Sequence, residues 1–239
     1  MNKYCFCIIR NMKEDGKPLL SNDQYVIRHK DIGMVVKDVE EEDVLPSGDE
    51  ILKHEKTIEK IMENNLLIPM SFGNIAKNDE DVKAFLSQNY TKLTKLLKKF
   101  ENRMEVGLKI FWTNESFADE VEDQQVKKLK EDIMKEKSIS ELRISEIGRL
   151  VEANAERKRD YYEKQIFYGL SSIAHESKLN TAHVPKMILN AAFLVDKDKE
   201  NAFESLLNNI YEKYKDRLIF KYSGPWPPYN FVDEMFMLK

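Results

Sequence analysis

Apolar residues along this chain change their period several times, and each change predicts an element. Tyr4–Ile9 is a β-branched and aromatic run, and Gly16 and Pro18 punctuate the polar stretch after it. Tyr25–Arg28 and Ile32–Val39 read as two more short strands, joined as a hairpin by His29-Lys30-Asp31. The period turns helical at Ser47, where Ser47 and Glu50 form a capping box and Ile51, Leu52, Ile58, Ile61 and Met62 recur at helical spacing. Asn64-Asn65 closes that helix, and Leu66–Ser71 follows as a short buried strand leading into Phe72-Gly73. A second helix runs from Asp79 to Glu101. Acidic residues lie at its start and Lys95, Lys98 and Lys99 near its end, as the helix dipole favours, and an apolar stripe runs from Val82 to Phe100.

Glu105–Trp112 alternates as a strand. Residues 115–175 are proline-free and densely charged. Ile144, Ile147, Val151, Ala155, Tyr162, Ile166, Leu170 and Ile173 recur there at spacings of three, four or seven, which predicts a helical hairpin or partial coiled coil, broken near Lys135–Ser140 with Ser138 or Ser140 as the second cap. Leu179–Pro185 and Met187–Asp196 then read as strands, Ala202–Tyr214 as a helix and Leu218–Ser223 as a last strand. From residue 105 on, the order is β-α-β-β-α-β, the ferredoxin-like pattern, and the N-terminal part spells a similar unit lacking its first helix. The chain therefore reads as α+β, with two domains of ferredoxin-like character: 1–104, and 105–239 with long, partly coiled-coil helices inserted over 115–175.

Composition narrows the function classes. With 42% apolar residues the chain can build real cores, and a formal net charge of -4 argues against bulk electrostatic binding to nucleic acid. The apolar run Tyr4–Ile9 is too short for a secretory core, and no stretch approaches a membrane span, so a cytoplasmic protein is expected. Cys5 and Cys7 lie two apart in a strand-like run and are expected to share one core-facing side. His29, His54, His175 and His183 stand at no ligand spacing to them, so no metal site is expected.

Catalytic signatures are lacking: there is no glycine-rich phosphate loop, HExxH, GxSxG or CxxC. His54 falls on the apolar side of its helix, where a packed, hydrogen-bonded histidine is the ordinary reading. Two segments combine stiffness with apolar surface. In Leu67–Gly73, Pro69 lacks a donor and suits an edge or bulge, and Gly73 permits a positive φ. In Gly224–Val232 three prolines hold the backbone extended while Trp226, Tyr229 and Phe231 supply area. Trp226 is expected to dock on its own domain as a structural anchor.

LIPMSFGNI (from Leu67), EVGLKIFW (from Glu105) and SGPWPPYNFV (from Ser223) together resemble the gas vesicle GvpF/GvpL family, in order and over most of the chain. The family's motif residues fall here on His54, Pro69, Met70, Phe72 and Gly73, and on Gly224, Pro225, Trp226, Pro227, Pro228, Tyr229 and Phe231, which become the candidate interaction residues. Ser71 and Asn74 depart from the commoner family pattern of arginine and threonine. The resemblance implies a non-enzymatic accessory or assembly protein without cofactor, associated with gas vesicles. Its implied partners are the hydrophobic shell protein GvpA, which it would keep from aggregating, and other gas vesicle proteins. The competing classes are a coiled-coil adaptor working through 115–175 and an enzyme on a ferredoxin-like scaffold.

Overall fold

Two antiparallel-type sheets, each with helices packed on it, organise the chain. A computed structural model describes residues 1–10, 23–40, 46–135 and 140–232. By its contacts the chain divides into Met1–Glu105 with Pro225–Lys239, and Val106–Gly224. The first unit contains β1 (Asn2–Arg10), β2 (Gln24–His29), β3 (Ile32–Val39), α1 (Gly48–Met62), β4 (Leu67–Pro69), β5 (Ile75–Ala76) and α2 (Asp79–Phe100). Its sheet has the order β2-β3-β1-β4, and β5 also pairs with β1. The short β5 escapes the sequence pattern, because two residues carry no period.

The helices start where their caps sit. Ser47 Oγ accepts from the Glu50 N–H at 3.2 Å, and Asn78 Oδ1 accepts from the Asp81 N–H at 2.9 Å, satisfying donors that the first turn leaves free. Glu50 does not complete a capping box; its carboxylate accepts from Lys53 Nζ at 2.6 Å instead. The turn between β2 and β3 passes through Lys30 at φ 53°. Just beyond it, Gly33 lets the two strands approach, since a Cβ there would stand 2.4 Å from Val26 Cγ1.

A bulge in β1 sets which side chains face which helix. Cys5 pairs with Val36 and Cys7 with Val35, so Phe6 is the extra residue. Past the bulge the alternation flips: Tyr4 and Phe6, then Cys7 and Ile9, join Val35, Ile58 and Ile61 in the core under α1. The i,i+2 spacing predicts one shared face for the cysteines. The structure corrects this, because adjacent β3 partners place Cys5 and Cys7 on opposite faces. Both are free, buried thiols, and burial pushes the Cys5 pKa up to about 12 and that of Cys7 upward as well, which makes them inert. On the face away from α1 lies α2, burying Val82, Leu86, Leu93 and Leu97.

The second unit runs through β6 (Arg103–Trp112), α3 (Asn114–Val121), α4 (Gln124–Lys135), α5 (Glu141–Tyr162), a π-turn (Glu163–Phe167), α6 (Tyr168–Ser171), β7 (Glu176–Leu179), β8 (Met187–Asp196), α7 (Glu200–Tyr214) and β9 (Leu218–Trp226). Its sheet has the order β7-β8-β6-β9. Counted along the chain, both sheets thus place their strands second, third, first, fourth. Trp112, Tyr162, Phe167, Phe193 and Phe203 pack edge to face or tilted between this sheet and its helices. Tyr162 donates to Glu120 Oε1 at 2.6 Å.

The expected helical insertion resolves into separate pieces. Ser140 caps α5, accepting from the Arg143 N–H at 3.4 Å; Ser138 lies outside the described residues. The apolar series is not one buried seam: Ile144 is 60% exposed, whereas Ala155, Tyr162, Ile166 and Leu170 are buried. The second strand of the second unit also moves. It is Glu176–Leu179, not Leu179–Pro185, because backbone pairing of Glu176 with Leu194 through Leu179 with Ala191 selects a polar edge segment that hydrophobicity overlooks.

The segment after Gly224 departs from the expected grouping with residues 105–239. Phe231 is fully buried, and Tyr229 packs against the core that α1 covers. Pro227 and Pro228 are buried, while Trp226 stays 39% exposed, so the anchoring role expected of Trp226 belongs to Phe231. Phe231→Ala is expected to destabilise by about 3–5 kcal/mol, as for a large core-to-alanine change. Trp226→Ala is expected to change stability by about 1 kcal/mol or less. Denaturant unfolding of the two variants beside wild type checks the ranking.

Candidate functional site

The motif residues of the first unit meet around one histidine. His54, on the second turn of α1, is 3% exposed. Its Nε2 lies 2.9 Å from the Met70 carbonyl oxygen, which can only accept, so Nε2 carries the proton. Nδ1 is then an acceptor, and the Tyr4 hydroxyl donates to it at 2.8 Å. Burial, first, pushes the His54 pKa below its ordinary 6.5, against the opposing hydrogen bond to Met70, and keeps the ring neutral.

This network pins the β1 bulge. The Met70 N–H donates to the Phe6 carbonyl at 2.9 Å, and the Cys5 N–H donates to the Asn74 carbonyl at 2.9 Å. Pro69 pairs opposite Cys7 on β4, at the end of the sheet order, where its missing donor is tolerated. Gly73 adopts φ 85°, which a side chain would strain. The two departures from the family pattern meet here: Asn74 Nδ2 donates to the Ser71 carbonyl at 2.9 Å and closes the turn. That bond uses the backbone of Ser71, so it depends on the identity of Asn74 alone.

A cleft of about 480 Å³ opens over this network. Phe6 stacks on His54 with centroids 5.7 Å apart, while Tyr4 and Phe72 meet the ring edge-on at 5.6 and 5.8 Å. Val39 completes an apolar lining, and Lys37, Lys53, Lys56, Asp23 and Glu50 form a charged rim. Lys3 sits beneath Asp38 of this rim, donating to its Oδ1 at 2.5 Å, and also pairs with Asp79 at 3.2 Å. The arrangement can take up an apolar side chain between flanking charges. His54 has both ring nitrogens engaged and neutral chemistry. Among the described residues no three His, Cys, Asp or Glu side chains converge as a metal-binding group.

The C-terminal motif divides. Glu105, buried in β6, accepts from the Asn230 N–H at 3.0 Å and from Asn230 Nδ2 at 2.6 Å, while Lys99 Nζ donates to the Phe231 carbonyl at 3.3 Å. Tyr229 and Phe231 therefore belong to the same unit as His54, Pro69, Met70, Phe72 and Gly73. Gly224, at φ 134°, and Pro225 and Trp226 lie on the exposed end of β9. Sequence reasoning misses Tyr4, Phe6, Glu105 and Asn230. Alternation along β6 turns Glu105 away from the core made by Val106, Leu108 and Ile110, and only the returning tail buries it.

Protonating His54 would oppose two donors, the ring N–H and the Tyr4 O–H, across one short contact. A folded-state pKa below the unfolded value means that the unfolded chain binds more protons, so stability is level above pH 6.5 and falls as pH drops below it. His54→Gln removes this titration. The stability advantage of wild type over His54→Gln is expected to be constant above about pH 7 and to shrink as the pH is lowered. Thermal melting of both proteins across that range tests it; a constant difference would show that His54 does not titrate as its burial demands.

Comparison with known proteins covers nearly the whole chain. The model of the family described as gas vesicle synthesis protein GvpL/GvpF matches residues 2–233. Gas vesicle protein F of a Nostoc species is 32% identical over 199 residues, covering 82% of each chain, and gas vesicle protein F1 of Halobacterium salinarum is 25% identical over 238 residues, covering 97% of this chain and 93% of its own. The crystal structure of the gas vesicle protein GvpF from an Anabaena species superposes with a TM-score of 0.81 at 27% identity, over 98% of both chains. No helix among the described residues is long and apolar enough to cross a membrane. The chain belongs to the gas vesicle GvpL/GvpF family.

Proposed function

We propose that this protein is a non-enzymatic accessory factor that binds the hydrophobic shell protein GvpA, together with other gas vesicle proteins, while vesicles assemble in the cytoplasm. The observation that carries the reading is the family match over residues 2–233. A protein that polymerises into a gas-filled wall exposes apolar surface before assembly, and a soluble binder that covers it opposes aggregation. The cleft over His54 supports this, since Tyr4, Phe6 and Phe72 give it an aromatic lining suited to an apolar side chain. Within the proposal, Phe72 is the wall that contacts the shell protein. His54, Met70, Gly73 and Tyr229 hold the wall in place, as do Pro69 and Phe231.

The scaffold reading belongs with this proposal. Strand order β7-β8-β6-β9 with helices between β6 and β7 and between β8 and β9 supports a ferredoxin-like C-terminal domain, and β2-β3-β1-β4 supports a related N-terminal one. Buried Val126 and Ile133 on α4 and half-buried Ile147 and Val151 on α5, two helices in contact, support a short two-helix seam within the insertion.

Tagged full-length protein co-expressed with GvpA is expected to co-purify with it. Phe72→Ala is expected to reduce the captured shell protein by roughly tenfold or more, as for loss of an aromatic anchor, with folding monitored by melting. Failure of the wild type to capture GvpA would remove the function; undiminished capture by a folded Phe72→Ala would move the contact away from the cleft.

A further inference from the structure

The cleft over His54 is walled by α1 and floored by β1, β3 and the start of β2. This floor offers side chains rather than backbone. β1 is paired with β3 on one side and with β4 and β5 on the other, and β3 lies between β2 and β1. At the floor itself Tyr4 pairs with Lys37 and with Ile75, and Lys37 pairs in turn with Gln24. At the bulge the Cys5 N–H is bonded to Asn74 and the Phe6 carbonyl to Met70. The backbone of the α1 wall is bonded within its own helix.

This saturation limits what can enter. An extended segment would carry its N–H and C=O groups out of water with no free strand edge at the floor to receive them, and unpaired backbone groups are costly to bury. A helix satisfies its own backbone and presents an apolar stripe at i, i+3, i+4 and i+7. The cleft volume of about 480 Å³ falls within the roughly 300–1,000 Å³ of pockets that enclose a whole small ligand, so it has room for more than one side chain of such a stripe. The rim adds a charge preference. Asp38 is balanced by Lys3 at 2.5 Å, Glu50 pairs with Lys53 at 2.6 Å, and Asp23 has a partner of its own. Lys37 on β3 and Lys56 on α1 make no ion pair among the described residues, so floor and wall each contribute a cation beside the apolar lining.

We propose that the segment received by this cleft is an amphipathic helix of a partner protein, with carboxylates flanking its apolar stripe. The inference rests on the reading of this cleft as the partner contact and adds the form and charge of what binds there. Phe6 and Phe72 take the stripe, and Lys37 and Lys56 take the flanking carboxylates. A strand is the wrong occupant because its backbone would go unpaired, and a helix with basic flanks because like charges would meet at the rim.

Three labelled peptides of about twenty residues, long enough to form a helix, test this against the full-length protein by fluorescence anisotropy. The first spaces leucines at i, i+3, i+4 and i+7 with glutamates beside them, the second has the same composition with leucines alternating, and the third replaces the glutamates of the first by lysines. The first is expected to bind on the order of tenfold more tightly than either of the others. Phe72→Ala, shown by melting to be folded, is expected to weaken its binding roughly tenfold. Lys37→Glu combined with Lys56→Glu is expected to reverse the preference between the two helical peptides, which itself shows that the variant is folded. Preference for the alternating peptide, equal binding of both helical peptides, binding of none, or undiminished binding by folded Phe72→Ala would each overturn the proposal. Capture of GvpA by the same preparation separates this inference from the assembly role. A protein that captures GvpA but prefers the alternating peptide keeps that role and loses the helix site, whereas one that prefers the glutamate helix but captures no GvpA keeps the helix site and loses GvpA as its ligand.

Discussion

The hydrogen-bonded bridge through His54 is the constraint on which the first unit depends. One neutral ring joins the Tyr4 hydroxyl to the Met70 carbonyl, and thereby ties α1 to β1 and to the turn after β4. A β-bulge leaves a strand locally under-paired, and Met70 supplies the bond that the Phe6 carbonyl would otherwise lack. Because the bulge flips the alternation, it also decides that Cys7 and Ile9 pack under α1 while Cys5 faces away. A buried polar network is favourable only when its members are satisfied, which is why a histidine with both nitrogens engaged can occupy an apolar site.

The same packing explains why motif residues far apart in the chain act together. Tyr229 packs on the core that α1 and β1 begin, Phe231 is buried beside Lys99 of α2, and the buried Glu105 carboxylate holds Asn230 by two hydrogen bonds. A carboxylate out of water is costly unless its oxygens are bonded, so Glu105 and the returning tail stabilise each other. The tail is thus part of the first unit's fold, and its prolines favour that role by limiting the conformations it must lose on docking. The cleft over His54 inherits its shape from this arrangement, since Phe72 stands between the Gly73 turn and the ring it covers.

Local physics made much of this legible beforehand. The Ser47 and Ser140 caps, the apolar stripe of α2, the alternation of β6 and the strand β8 are written in neighbouring residues, where side-chain period and capping chemistry act over one or two turns. The C-terminal motif GPWPPYNFV carried the family, because three prolines among aromatics at fixed spacing are rare and specific.

Non-local pairing decided what the sequence could not. The bulge at Phe6 exists only because β3 and β4 pair with β1 in registers that no local pattern encodes, so the shared face expected of Cys5 and Cys7 was lost. Glu176–Leu179 became a strand through its backbone bonds to β8, although its polar side chains advertise none. Alternation along β6 gives Glu105 no place in the core, and only the returning tail buries it, while Trp226, expected as an anchor, stays 39% exposed and Phe231 is buried instead. By itself, the sequence determined the helices, most of the strands and the family. The tertiary structure decided which side of each strand is inside and where the chain's end returns, because burial and register depend on residues a hundred positions away.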